Sequence, residues 1–125
     1  MKKICAIILL LITTPVSAEQ LLGLWITEQR SGSYAHVLMK PCEDKICGTV
    51  IKSFENGREV EAASLGKVIV YDMVADSEKT YAGRVWNPRN DKTYIAKLRV
   101  DGDTLALRGC VAGGLFCSKR TWTRI

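Results

Sequence analysis

Only a few side chains in this sequence could carry chemistry. His36 is the single histidine, in YAHVLMK, and Asp72 in VYDMV is the carboxylate most closely set among apolar residues. General acid–base work needs a group titrating near neutral pH within reach of a nucleophile or a second carboxylate. In an extended strand His36 alternates onto the face opposite Ala35 and Val37, so it reads as an outward or mouth-lining polar residue. One histidine cannot build a metal centre without other ligands. A buried Asp72 would need a cation, and Arg84 or Arg99 would make a structural ion pair with it. GCVAGG lacks the spacing of a phosphate loop and any helix after it, and no G-x-S-x-G, H-E-x-x-H or EF-hand pattern occurs. With no nucleophile–base pair in view, the chain reads as a non-enzyme with no cofactor and no metal.

The cysteines say more. Cys42, Cys47, Cys110 and Cys117 follow an amino-terminal stretch, MKKICAIILLLITTPVSA, with two lysines, an apolar run at 4–12, Pro15 and a small-residue end. That is the form of a secretory signal peptide over residues 1–18, with cleavage expected after Ala18 and a single domain at 19–125. The run is shorter than the ~20 residues a bilayer span needs. An exported chain meets an oxidising compartment, periplasmic or extracellular, and an even number of cysteines there reads as disulfides. Four cysteines allow three connectivities. The local pairs Cys42–Cys47 and Cys110–Cys117 fit hairpin ends best. Zinc is the rival reading, but C-x₂₋₄-C spacing fits only the first pair.

The net charge is +5, and without Lys2 and Lys3 it falls to about +3. The basic residues are spread along the chain, which points away from nucleic acid and leaves an anionic partner open. Turn signals recur at short intervals and divide the chain into eight strand-like runs at 22–29, 34–40, 45–54, 67–74, 80–86, 93–100, 104–110 and 118–125. The sixth alternates most cleanly, with Tyr94, Ala96, Leu98 and Val100 on one face. ENGREVEAASLG is expected to be a loop with one helical turn near 59–63. Helical apolar spacing is not found after the leader. Eight short antiparallel strands hide their edges by closing into an up-and-down barrel, with a two-sheet sandwich as the alternative.

In such a barrel the first and last strands are neighbours. Trp25, in GLW, then meets Arg124, in TWTRI, and a guanidinium lying on the indole closes one end. Trp122, on the same face as Arg124, is the substitute partner. Tyr71, Trp86 and Tyr94 are candidate cavity-lining residues, although aromatics of this kind also serve as plain core.

GLW, AHV, PCEDKICGTVI, NPRNDKTY, LRVDGDTLALRGCV and TWTR occur in that order. Their order and spacing resemble the bacterial envelope family filed as domain of unknown function 2147. The resemblance implies an exported, lipocalin-like small barrel and no particular activity. Asp91 stands where the family's turn has glycine, and aspartate accepts left-handed backbone better than most residues. The stretch after the third run is shorter and more polar than the family's.

The leading functional expectation is a binding module for a small apolar ligand or an envelope component, held in the barrel. The alternative is an interaction protein with a solid core that binds a macromolecule through its loops or rim. A lysozyme target fits poorly, because both proteins would be basic. No membrane span is expected in the mature chain, and the sequence leaves the oligomeric state open.

Overall fold

The computed structural model describes residues 20–111 and 116–125. The leader expected at 1–18, with cleavage after Ala18, and the turn expected at 112–114 lie outside the described residues. Nine strands occur among the described residues: β1 (Gly23–Ile26), β2 (Ser33–Cys42), β3 (Lys45–Glu55), β4 (Arg58–Val60), β5 (Val68–Ala75), β6 (Thr80–Asn87), β7 (Lys92–Asp101), β8 (Thr104–Val111) and β9 (Phe116–Arg124). Every pairing is antiparallel. The ring runs β1, β2, β3, β5, β6, β7, β8, β9 and returns to β1, which makes a closed barrel of eight. Closure gives each of these strands a partner on both sides and leaves little sheet edge exposed.

β4 is the ninth strand and stands outside the ring. It pairs only with the end of β3, from Ser53↔Val60 to Glu55↔Arg58. No helical turn forms at 59–63. The physical reason is the Asn56-Gly57 pair, whose φ values of 52° and 80° are those of a tight hairpin turn.

Bulges decide which side chains face inward. On β7 the alternation is regular, and Ala96, Leu98 and Val100 are buried. On β3 the register slips beside His36/Val37, leaving Ile51 without a partner, so Val50 and Ser53 both face in although three positions apart. On β5 Val70 and Met73 are both fully buried, and Tyr71 and Asp72 between them face out. Asp72 is therefore exposed, and the condition under which it would need Arg84 or Arg99 as an ion-pair partner is not met. It is the left-handed residue of a bulge, with φ of 54°, a conformation that aspartate tolerates. Asp91, in the glycine position of the turn before β7, also has a left-handed φ, 56°.

The cysteines are joined locally. Cys42 and Cys47 flank the β2–β3 turn with Cα atoms 5.7 Å apart, and Cys110 and Cys117 face each other across β8 and β9 at 4.1 Å. Both pairs tie neighbouring strands.

One end of the barrel is packed solid. Leu21, Trp25, Met39, Met73, Tyr81, Leu98 and Leu105 meet there, each at most 1% exposed. Trp25 and Arg124 are register partners on β1 and β9, and the guanidinium carbon lies 4.2 Å from the Trp25 ring centroid. Arg124 Nη1 donates to the Leu22 carbonyl at 3.0 Å, Nη2 donates to the Gln20 carbonyl, and Trp25 Nε1 donates to the Leu21 carbonyl at 2.9 Å. Gly23, with φ of 115°, lets the guanidinium approach: a Cβ there would stand 3.3 Å from Arg124 Nη1. The partner of Arg124 is thus Trp25. Trp122 points into the barrel and is buried.

Candidate functional site

The other end of the barrel is open. A cavity of ≈ 640 Å³ enters it, within the range of small-molecule sites. Its wall is mostly apolar: Ala35, Val50, Ile69, Val85, Leu107 and Trp122 face it. These are inward positions of β2, β3, β5, β6, β8 and β9, so nearly every strand of the ring contributes. The space exists because inward residues are smaller here than at the closed end: Ala35 and Gly109 line the cavity, whereas Trp25 and Tyr81 fill the far half.

Of the three aromatics expected to line a cavity, two do so. Tyr94 faces inward and Trp86 stands at the rim. Tyr71 does not, because the β5 irregularity at Ile69 and Val70 leaves it facing out, where it shares a shallow groove with Lys67, Val68 and the outer side of Trp86. The sequence reading missed Ser53 and Trp122. Ser53 has no sequence signal, since simple alternation from Val50 points it out and only the bulge at Ile51 turns it in. Trp122 did have one, as it shares a strand face with Arg124.

Polar residues such as Thr27, Ser33 and Ser118 also line the cavity, but among the described residues Ser53 is the buried one. It is 6% exposed, and its hydroxyl has no hydrogen-bond partner. Charges gather at the rim. Arg120 Nε lies 3.6 Å from Glu28 Oε2. Arg30, Glu55 and Arg89 complete the charged ring, and among the described residues none of these three is ion-paired.

His36 is outside this site. It packs on the outer wall, its ring centroid 4.7 Å from that of Phe54, which in turn stacks on Tyr34 at 4.9 Å. Partial burial, and then the nearby Lys52 charge, lower its pKa below the usual 6.5, with Glu59 opposing. The folded state therefore favours neutral imidazole, and stability falls as pH drops from 6.5 towards the folded pKa. An NMR titration is expected to give a His36 midpoint below 6.5, and Lys52→Ala should raise it. A midpoint at or above 6.5 in the unaltered protein would contradict this placement. Among the described residues no group of three or more His, Cys, Asp or Glu is placed to hold a metal, and no helix is long and apolar enough to cross a membrane.

Comparison with known proteins agrees with this geometry. A family model described as "Uncharacterized protein conserved in bacteria (DUF2147)" matches residues 23–124. Among solved structures, protein HP1028 from the human pathogen Helicobacter pylori, described as belonging to the lipocalin family, superposes with a TM-score of 0.69 at 18% identity, covering 84% of this chain and 82% of that one. At that identity the likeness is one of fold. The comparison with curated proteins found no match.

Proposed function

The chain belongs to the bacterial family described as uncharacterized and conserved, DUF2147, and from that premise we propose that it is an exported carrier that holds one small, largely apolar ligand in the open half of its barrel. The observation that carries this reading is the cavity itself: ≈ 640 Å³, open at one end, with apolar walls contributed by six strands. A barrel needed only as a scaffold would gain stability by filling that half as it fills the other, since each buried methylene contributes ~0.8 kcal/mol. The lipocalin-like fold supports the same reading. The protein acts by binding, not catalysis; in support, its single histidine is not among the residues that line the cavity. Export is supported by the two cysteine pairs and by the form of the first 18 residues.

A second reading, binding of a macromolecule, draws on Ile95 and Phe116, which are 66% and 68% exposed. Ile95 lies on the outer wall in register with Cys110 and through it with Cys117, so the outer strip is Ile95 with that cysteine pair, whereas Phe116 shares the strand face of Ser118 and Trp122 at the open rim.

Native mass spectrometry of protein exported and purified without detergent tests the carrier reading, with its organic extract run in parallel. The expected result is a stoichiometric adduct. Ala35→Phe, which fills the cavity from β2, should abolish the adduct and leave the melting temperature within a few degrees, because the added ring occupies existing space. A bare mass, with no added long-chain amphiphile able to load the protein, would transfer the function to the outer strip.

A further inference from the structure

The rim loops are not equivalent. Around the ring, the 88–91 loop between β6 and β7 stands diametrically across from the 27–32 loop between β1 and β2, with three strand pairings separating them either way. Arg89 bridges that distance, its Nη2 donating to the Arg30 carbonyl at 3.3 Å. The loop behind it is fixed by its own side chains. Asn87 Oδ1 accepts from the Arg89 backbone N–H at 2.9 Å, and Asn90 Oδ1 accepts from that of Lys92 at 3.0 Å. Asn90 Nδ2 donates to Tyr94 Oη at 2.6 Å, and Trp86 Nε1 donates to Asp91 Oδ1 at 2.8 Å. Asn87, Asn90 and Asp91 are therefore used to shape the turn, and the Arg89 guanidinium is directed over the mouth.

That guanidinium is underused. A guanidinium has five N–H donors in a planar fork, and the one contact described for it is a long bond to a neutral carbonyl. Arg30 beside it and Arg89 itself lack ion pairs among the described residues, and on the same rim Arg120 is engaged by Glu28. Two unpaired cations thus face one unpaired acid, Glu55. Below them the Ser53 hydroxyl is unsatisfied. Two other buried hydroxyls, on Thr49 and Tyr81, also lack partners, but only Ser53 lines the cavity.

We propose that Arg89 is the headgroup clamp of this cavity and that the ligand is an amphipathic anion, a long-chain carboxylate. Its carboxylate replaces the Arg30 carbonyl as acceptor for the Arg89 fork, and Ser53 supplies a second polar contact inside the mouth. The chain lies along Ile69, Val85, Leu107 and Trp122. A carboxylate suits the fork better than the carbonyl does, because two parallel charge-assisted bonds replace one long neutral one. The chain's excess of basic residues also steers an anion towards the mouth. This proposal rests on the carrier reading above and specifies its ligand.

Calorimetric titration with a long-chain fatty acid, and with the fatty alcohol of equal length, separates the two. The acid is expected to bind at least tenfold more tightly than the alcohol. Arg89→Ala should weaken the acid about tenfold or more and leave the alcohol unchanged. Arg89→Lys should restore part of the difference, since it keeps the charge but not the fork. Ser53→Ala should weaken the acid severalfold. Equal binding of acid and alcohol, or an Arg89→Ala loss shared by both, overturns the clamp while the carrier stands. If neither amphiphile binds the folded protein, carrier and clamp fall together.

Discussion

Trp25→Ala is expected to remove about 3–5 kcal/mol of stability, read by urea unfolding followed by circular dichroism. Trp25 is fully buried, its indole N–H satisfies the Leu21 carbonyl, and its face carries the Arg124 guanidinium. Truncation empties the plug and leaves both partners short of a contact. Arg124→Ala should remove about 2–3 kcal/mol, because the Leu22 and Gln20 carbonyls lose their donors together with the stacking. In a domain of this size that is roughly 10–20 °C in Tm. The ion pair to Asp103 adds little, since that side chain is 88% exposed. The double variant should lose less than the two singles together, by about 1 kcal/mol or more, because guanidinium and indole act as one unit. Strict additivity would mean that the contact at 4.2 Å contributes nothing. The pair closes the end opposite the cavity, so folded Arg124→Ala should still take up ligand.

That pairing was legible in the sequence because barrel closure makes the first and last strands neighbours wherever the turns fall. The local cysteine pairing and the clean alternation of β7 were legible for similar reasons: each depends on short separations within one hairpin or strand. What escaped was set by bulges. One unpaired residue, Ile51, reverses the phase of everything after it on β3 and turns Ser53 into the cavity. On β5 an irregularity at Ile69 and Val70 brings both inward and leaves Tyr71 facing out, and the bulge at Tyr71 and Asp72 then returns Met73 to the interior. A period-two reading carries no record of such a shift, although a lone Asp in VIVYDMV was the available hint. β4 was missed differently. Asn56-Gly57 is a strong hairpin signal, but the three residues after it were too few and too polar to read as a strand. The cavity itself follows from the volumes of inward residues at one end, and those could be assigned only once the phase of each strand was known.

Gly83→Ala is the substitution that tests whether the β5 bulge is fixed. Gly83 lies on β6 opposite the bulge, and a Cβ there would stand 2.5 Å from the Tyr71 carbonyl oxygen, 2.8 Å from Met73 Sδ and 2.9 Å from the Asp72 carbonyl carbon. The sulfur can swing away. The backbone atoms cannot, unless the bulge itself moves. The expected loss is about 3 kcal/mol or more, above the usual range for an added methyl because the obstacle is main chain. Met73→Leu in the same chain should not rescue it. By contrast Gly57→Ala, where φ is 80° but a Cβ meets nothing within 4 Å, should lose only about 1 kcal/mol. Function should follow stability here. If the bulge is squeezed out, β5 returns to simple alternation and Tyr71 swings towards the interior beside Ile69, into the space reserved for ligand. Gly83→Ala protein that still folds should therefore bind amphiphile weakly or not at all. A variant within 1 kcal/mol of the parent with full binding would show that β5 can shift without reorienting Tyr71, and that the open half of the barrel owes its space to the small side chains of β2 and β8 alone.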